Sequence, residues 1–190
     1  MSDEGSQSFK AEEEVDCFFD ESSLSHGAQP NLVLILGPVA VGKTTLRKEK
    51  YATGFVLIDA VPIFLHMSRG EFYSFPTDLC EPMDVFGRMI ATRAIQERRH
   101  IVTEMIGGEE EAVQALIDAM TAIGYKVDLI FVHCPLEQAV QWNLNRRDDS
   151  ISAYYAEPFQ WTWMMEAASA SASPDREDSI AWLGKAKPAP

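Results

Sequence analysis

The feature that most constrains the fold of this chain is a loop with two glycines, which lies between an apolar run and a helical segment. Residues 37–44 read GPVAVGKT and match the pattern G-x-x-x-x-G-K-[ST] at every fixed position. The run NLVLIL at residues 31–36 precedes the loop and stops at Gly37. Short, continuous apolar runs of this kind are typical of strands buried on both faces of a parallel sheet. The pattern therefore predicts a buried strand, a phosphate-binding loop and a helix in succession.

The chemistry of phosphate binding explains each fixed residue of this loop. Gly37 and Gly42 allow backbone N–H groups to approach phosphate oxygens, and a helix that begins near Lys43 adds the positive end of its dipole. We expect Lys43 to reach the β- and γ-phosphates and the Thr44 hydroxyl to bind Mg²⁺. ATP or GTP, between which the loop does not discriminate, is predicted to contact Gly37, Val41, Gly42, Lys43, Thr44 and Thr45. The alternative is a glycine-containing strand–helix turn in which Lys43 and Thr44 follow by chance.

Strand and helix patterns alternate after the loop. Short apolar runs predict strands at residues 31–36, 55–59, 101–104 and 127–133. Apolar residues spaced three and four apart predict helices at residues 43–51, 83–99, 109–123 and 136–144. This alternation indicates an α/β chain with the three-layer P-loop NTPase fold, a mainly parallel sheet flanked by helices. No convincing fifth strand follows residue 147.

Charge and composition divide the chain into a domain and two tails. The formal net charge is −13, of which residues 1–30 contribute −7 and residues 31–150 only −4. We interpret residues 1–30 as an acidic, flexible leader, in which Phe18 and Phe19 could still dock on the domain. Residues 31–166 form the predicted P-loop domain. Residues 167–190, rich in small residues, charge and proline, are predicted to be a flexible tail.

The composition also argues against several classes of partner. A chain this acidic is a poor candidate for binding nucleic acid, which needs a basic surface. No apolar run reaches the ~20 residues of a transmembrane helix, and the sequence MSDEGSQSFK at the N-terminus has no signal-peptide pattern. Cys17, Cys80 and Cys134 form no C-x-x-C pair, so neither a zinc site nor a disulfide framework is indicated. We therefore expect a cytoplasmic protein without membrane or nucleic-acid partners.

Two acidic residues end the strands that are predicted to follow the loop. Asp59 closes the run 55–59, and Glu104 closes the run 101–104. Ligands of parallel sheets gather at the carboxyl ends of the strands, so both carboxylates are expected near the phosphates. Asp59 is a candidate general base and substrate-binding residue, and Glu104 a candidate to hold Mg²⁺, through water, or to bind the acceptor. Alternatively, either acid only caps the helix that follows it.

Arginines outside the loop are candidates for binding phosphoryl oxygens and the acceptor. Arg146 and Arg147 follow the predicted helix 136–144, in the hydrophilic stretch RRDDS. Guanidinium groups there can fold over a nucleotide as part of a lid and offset charge on the transferred phosphoryl group, which is a catalytic role. Arg69 begins a polar and aromatic insert, residues 69–82, that is a candidate to cover and bind the acceptor. The alternatives are a solvated helix end for the arginine pair and an ordinary surface loop for the insert.

Four segments of the chain carry a resemblance to a known family. They read VLILGPVAVGKTT, FVLIDA, HIVTEMIGG and GYKVDLIFVHCPLEQAVQWNLNRR. Over about residues 31–147 the chain thereby resembles the zeta toxins and related AAA-type small P-loop kinases. The resemblance implies a doubly wound sheet and transfer of the ATP γ-phosphate to a small molecule, which for zeta toxins is the sugar of UDP-N-acetylglucosamine. It leaves room for an antitoxin-like protein partner, which the sequence does not identify.

The chain departs from the zeta-toxin pattern after the second strand. Zeta toxins usually continue with D-x-D and then an Arg, whereas here Ala60 and Val61 follow Asp59, and Phe64 and Leu65 stand at the Arg position. The base role therefore carries over to Asp59 alone. Our first hypothesis is an ATP-dependent phosphotransferase that acts on a hydroxyl of a small metabolite or nucleotide sugar. The second is a nucleotide-binding switch or partner-binding protein without phosphotransfer activity, which the missing acid and the acidic leader motivate.

Overall fold

Helices separate the strands of the chain, as the sequence patterns predict. A computed structural model describes residues 14–38, 40–68, 80–106 and 110–145 of the 190-residue chain. Its elements in chain order are β1 (Asn31–Leu36), α1 (Lys43–Lys50), β2 (Val56–Leu57), α2 (Ala60–Met67), α3 (Cys80–Gln96), β3 (Ile101–Met105), α4 (Glu110–Ala122), β4 (Lys126–Phe131) and α5 (Leu136–Leu144). The strands form one sheet with the order β2-β3-β1-β4, and each neighbouring pair is parallel. The predicted α/β class, a mainly parallel sheet flanked by helices, is confirmed.

The strand β1 lies inside the sheet and contributes to both halves of the core. Leu32, Leu34 and Leu36 pack in a cluster with residues of α2, α3 and α4. Val33 and Ile35 pack in a second cluster with residues of α1 and α5. Successive side chains of a strand point to opposite faces of the sheet, so helices cover both faces. This double burial explains why the run before the loop is apolar at nearly every position.

The helix α2 was not among the predicted elements. It begins after Asp59, whose Oδ1 accepts a hydrogen bond from the Val61 N–H at 2.8 Å. Pro62 lies in the first turn, where its missing N–H costs no intrahelical hydrogen bond. Ile63 and Phe64 are buried in the core, and this tertiary packing stabilises a helix that is too short to form alone.

Several predicted boundaries differ from those of the structure by one to three residues, and two of these differences have a clear cause. The second strand comprises Val56–Leu57 instead of residues 55–59, because α2 already begins at Ala60. The helix α3 spans Cys80–Gln96 instead of residues 83–99, and Arg98 beyond it has a positive φ of 52°. A right-handed helix cannot continue through a residue with positive φ, so α3 ends before that turn.

The described part of the predicted leader packs against the domain. Val15 is 2% exposed and belongs to the core cluster on the α2, α3 and α4 side of the sheet. The Phe18 ring lies edge-on to the Phe86 ring, with the centroids 5.6 Å apart. The Arg93 guanidinium lies over the Phe19 ring at 4.4 Å. Phe18 and Phe19 therefore dock on α3, through aromatic and cation–π contacts.

Arg99 attaches the same segment through polar contacts. Its side chain is buried, and its Nη1 donates to the Asp20 carbonyl oxygen at 2.9 Å and to the Ser23 hydroxyl at 3.2 Å. The backbone N–H of His100 donates to the Ser23 carbonyl oxygen at 2.7 Å. A buried guanidinium must find acceptors for its N–H groups, so these bonds tie the leader to the turn that precedes β3.

Several sequence-based predictions fall on residues outside the described ranges. They concern residues 1–13 of the leader, most of the insert 69–82 and the tail 167–190. The domain limits at residues 31 and 166 therefore stay predictions. Among the residues that the structure describes, no helix combines the length and apolarity needed to cross a bilayer.

Replacement of Val15 by Ala tests whether the packed leader contributes to stability. The change removes two buried methyl groups, so the free energy of unfolding should fall by about 1.5–2 kcal/mol, at about 0.8 kcal/mol per buried CH₂. Urea denaturation measures this. The matched control is Val85→Ala on α3, where the side chain is 45% exposed and the expected change is within about 0.5 kcal/mol. Equal small effects at both positions would show that the leader adds nothing to the core.

Candidate functional site

The phosphate loop begins with a tight backbone turn at Gly37. The Gly37 N–H donates to the Met105 carbonyl oxygen at 3.2 Å, and the Val132 N–H donates to the Leu36 carbonyl oxygen at 2.8 Å. The φ of Gly37 is 151°, and a Cβ built on it would lie 2.2 Å from the Val132 carbonyl oxygen. Any side chain would clash there, so only glycine lets the chain leave the sheet between β3 and β4.

A second glycine and a lysine form the end of the loop. Gly42 is the N-cap of α1 and has a φ of 96°, a left-handed conformation that glycine adopts without steric cost. Lys43 is the first residue of α1, and its Nζ donates to the carbonyl oxygens of Gly37 and Pro38 at 2.8 and 2.7 Å. The lysine therefore reaches back across the loop, with its ammonium group beside the loop backbone.

The other predicted nucleotide-binding residues flank Lys43. Thr44 and Thr45 lie in the first turn of α1 and are exposed. The Val41 side chain is buried in the core cluster with residues of α1 and α5, so only the Val41 backbone is left to contact a phosphate. The first N–H groups of a helix have no intrahelical partner and are free to bind an anion. The fold thus brings the predicted phosphate-binding residues to one helix N-terminus.

Glu104 links β3 to α1. Its Oε2 accepts a hydrogen bond from the Thr44 Oγ1 at 2.7 Å, and its Oε1 accepts one from the Arg47 Nε at 2.6 Å. The Arg47 and Glu104 side chains are 13% and 8% exposed, so the ion pair is largely shielded from water. In the sheet, Glu104 stands in register with Ile35, near the start of the loop. The two residues predicted to hold Mg²⁺ are therefore in direct contact.

Arg47 is a residue of this site that sequence reasoning missed. It stands four residues after Lys43 and three after Thr44, a spacing that places side chains on one side of a helix. That spacing is the signal that was available. Its partner Glu104, however, is 57 positions away, and only the pairing of β1 with β3 brings the two together.

Asp59 both caps α2 and lies within electrostatic range of the loop. Its Oδ1 accepts the hydrogen bond from Val61 N–H, so the capping interpretation is observed. Burial has the largest effect on the pKa of Asp59 and raises it, whereas the hydrogen bond from Val61 lowers it. Of the nearby charges, Glu104 raises this pKa, and Arg47 and Lys43 lower it. The net result is a pKa above 3.8. The cap occupies Oδ1 and leaves Oδ2 without a hydrogen bond to the rest of the described chain.

The predicted arginines Arg69, Arg146 and Arg147 lie outside the described residues, so their place at the site stays a prediction.

A cleft of about 530 Å³, lined by residues 24–29 and 96–98, lies where the chain enters β1 and β3. It is therefore at the opposite edge of the sheet from the phosphate loop. Within the described ranges, no group of three His, Cys, Asp or Glu side chains is arranged to hold a metal ion.

Solved structures share this fold at low sequence identity. A chain in the crystal structure of AvrRxo1-ORF1:AvrRxo1-ORF2 with sulphate ions matches with a TM-score of 0.58 and 17% identity, over 78% of this chain and 50% of that one. A chain in the structure of the same complex with ATP matches with a TM-score of 0.55 and 17% identity, over 78% and 50% of the two chains. The present chain thus spans about half the length of these chains.

A third structure describes the PezAT chromosomal toxin–antitoxin system of the human pathogen Streptococcus pneumoniae. The match has a TM-score of 0.53 and 14% identity, over 76% of this chain and 65% of that one. No family model and no curated protein matches the sequence. At the level of the fold, these likenesses agree with the resemblance to zeta toxins and related small P-loop kinases.

Replacement of Asp59 by Asn separates helix capping from ionisation. Asn caps helices about as well as Asp, but it does not ionise. Folding raises the pKa of Asp59 above 3.8, so the folded chain holds this proton more tightly than the unfolded chain. The free energy of unfolding therefore falls as pH rises from 3.8 through the raised pKa, and the Asn variant escapes this fall. In urea denaturation at a series of pH values, D59N should become more stable than the parent as pH rises.

Asp20 provides the matched control with the opposite sign. It also caps a helical turn, accepting a hydrogen bond from the Ser22 N–H at 3.0 Å, but the hydrogen bonds from the Ser22 side chain and backbone lower its pKa. The stabilising contribution of ionised Asp20 is fully present above pH 3.8 and is lost as pH falls through the lowered pKa. D20N should therefore lose stability relative to the parent as pH rises. A loss of stability in D59N at neutral pH would contradict the prediction for Asp59.

Proposed function

We propose that this protein is an ATP-dependent phosphotransferase that moves the γ-phosphate to a hydroxyl of a small metabolite or nucleotide sugar. The observation that carries the proposal is the meeting of three features at one edge of the sheet. They are the phosphate loop with Lys43, the carboxylate of Glu104 in contact with Thr44, and the carboxylate of Asp59 in electrostatic range of both. A strand–helix turn with a chance Lys-Thr pair would need neither acid.

The loop supplies binding sites for the phosphates of the nucleotide. Gly37 and Gly42 shape the backbone so that N–H groups can point toward phosphate oxygens, and the N-terminus of α1 adds its positive dipole. The Lys43 ammonium lies beside the loop backbone, at 2.8 Å from the Gly37 carbonyl oxygen. Lys43, on its flexible stem, is the proposed ligand of the β- and γ-phosphates.

Thr44 and Glu104 fit the requirements of Mg²⁺. Magnesium prefers oxygen ligands and keeps several waters, so it is usually held by one or two protein groups together with phosphate oxygens. A hydroxyl and a carboxylate in contact at 2.7 Å form such a donor pair. When bound, the ion supplies positive charge to the transferring phosphoryl group. Thr44 would offer a lone pair, and Glu104 would orient bound water.

Asp59 is the proposed general base. The acceptor hydroxyl oxygen forms a bond to the γ-phosphorus, the bond from that phosphorus to the bridging oxygen of ADP breaks, and the hydroxyl proton passes to the Asp59 carboxylate. A pKa above its usual value makes this carboxylate a better proton acceptor. Arg146 and Arg147 remain proposed partners for charge on the phosphoryl group, and Arg69 for the acceptor.

A nucleotide-binding switch without transfer activity is the second candidate. Two observations favour it: Asp59 is already engaged as the cap of α2, and Val61 stands where zeta toxins carry their second acid. The buried Phe64 likewise occupies the position of the expected arginine. A protein of this kind would bind ATP or GTP, and its interaction with a partner protein would depend on whether the nucleotide is bound.

The partner and cellular location are also proposals. The matched structures include AvrRxo1-ORF1:AvrRxo1-ORF2 and the PezAT toxin–antitoxin system, which supports a protein partner of antitoxin type. A cytoplasmic location accords with the nucleotide substrate.

Replacement of Lys43 by Ala tests the phosphotransferase directly. Loss of this charge from the phosphates should lower the rate of transfer about 100- to 1,000-fold, because preorganised charge at the phosphoryl group is lost. The assay follows transfer from γ-labelled ATP to a panel of metabolites and nucleotide sugars. The matched control is Lys48→Ala, which removes the same charge from an exposed position on α1 and should leave the rate unchanged.

The same assay separates the two candidate functions. A phosphotransferase yields a labelled acceptor, and D59N abolishes the label while ATP binding persists. Tight ATP binding by the parent with no labelled product across the panel would favour the switch. Full transfer activity in Lys43→Ala would refute the role assigned to the loop.

A further inference from the structure

Both oxygens of the Glu104 carboxylate accept hydrogen bonds from side chains of the same helix. Thr44 Oγ1 donates to Oε2 at 2.7 Å, and Arg47 Nε donates to Oε1 at 2.6 Å. The two donors are three residues apart on α1, so their separation is set by the helix itself. A carboxylate held at both oxygens has a defined plane and direction, which a single hydrogen bond does not give.

The two contacts have different consequences for a bound cation. The Thr44 hydroxyl can donate its proton to Glu104 and still offer an oxygen lone pair to Mg²⁺. Arg47 has no lone pair to offer, so it cannot bind a metal ion. Its contact can therefore act only on Glu104, by fixing the carboxylate and balancing its charge.

The charge balance matters because the Glu104 side chain is only 8% exposed. A carboxylate removed from water is costly unless it is paired and hydrogen-bonded. The Arg47 side chain is itself 13% exposed, so the pair is shielded from solvent and is screened little by salt. Arg47 thus pairs with the shielded Glu104 carboxylate and fixes its orientation beside the phosphate loop.

We propose that Arg47 is a positioning residue for Mg²⁺·ATP, which acts through Glu104 by holding its carboxylate toward Thr44 and the phosphate loop. The inference rests on the proposed function, in which Thr44 and Glu104 serve the cation. It assigns to α1 two tasks: its N-terminus binds the phosphates, and its second turn orients the acid that serves the metal.

The test measures how strongly Mg²⁺ improves the binding of a non-hydrolysable ATP analogue. Calorimetry gives the affinity of the full chain with Mg²⁺ and with EDTA, and the ratio is the magnesium enhancement. Arg47→Gln should reduce this enhancement about 10- to 100-fold, the usual cost of losing a group that orients a metal-site residue. Its affinity in EDTA should match that of the parent, because Lys43 and the loop are intact.

Lys48→Gln is the matched control. It removes one positive charge from the neighbouring, exposed position of α1. The magnesium enhancement should equal that of the parent. Equal losses in R47Q and Lys48→Gln would mean that only the net charge of the helix matters, and the proposal would be overturned.

A double-mutant cycle with Glu104→Gln decides whether Arg47 acts through Glu104. In the E104Q background, R47Q should cause no further loss of magnesium enhancement. The same loss in both backgrounds would refute the proposal. If R47Q melts below the assay temperature, Arg47→Lys replaces it in the cycle: it keeps the charge, and its smaller loss should likewise vanish in the E104Q background.

The parent chain distinguishes failure of the proposal from failure of the proposed function. A parent that does not bind the ATP analogue, with Mg²⁺ or in EDTA, would contradict the proposed function and with it this inference. A parent with a clear magnesium enhancement that R47Q retains in full would overturn the inference on Arg47 and leave the proposed function standing.

Discussion

The close approach of Gly37 to the backbone after β4 is the constraint on which the rest of the site depends. The carbonyl oxygen of Val132 occupies the space that a Cβ would need, and the Met105 carbonyl oxygen holds the Gly37 N–H from the other side. The backbone can therefore make this turn only at a residue without a side chain. The loop that leaves the sheet here leads to Gly42, the N-cap of α1, and to Lys43, the first residue of that helix. Phosphate binding by a loop of this kind is therefore a property of strand packing as much as of the loop residues.

The charged side chains at this edge of the sheet interact with one another. The Glu104 side chain is shielded by Arg47; burial raises the pKa of the half-buried Asp59, Glu104 raises it too, and Arg47 and Lys43 lower it. Burial of Asp59 raises its pKa, which costs stability above that pKa. Costs of this kind are characteristic of functional sites, where a group is kept in the state that its task requires instead of the most stable one. The arrangement is the one that the proposed proton transfer and Mg²⁺ binding would require.

The sequence predicted the limits of β1 and α5 correctly but missed α2. β1 has the predicted limits, because a strand buried on both faces must be apolar throughout. The helix α2 was missed because its residues, with Pro62 in the first turn, have little intrinsic helix propensity, and the burial of Ile63 and Phe64 stabilises it. Val15 was likewise placed in a flexible leader, since local composition does not reveal a docking surface formed by distant helices.

The sequence by itself determined the phosphate loop, the order of the four strands and the two acids that follow strands, because each is encoded in a short local pattern. Only the tertiary structure decided which side chains these acids meet. The contact of Arg47 with Glu104 spans 57 positions and exists because β3 pairs in parallel with β1 beside the loop. Asp59, which caps α2, lies within range of the same charges because β2 pairs in parallel with β3. A local pattern encodes a backbone conformation, whereas the pairing of charges depends on which strands become neighbours.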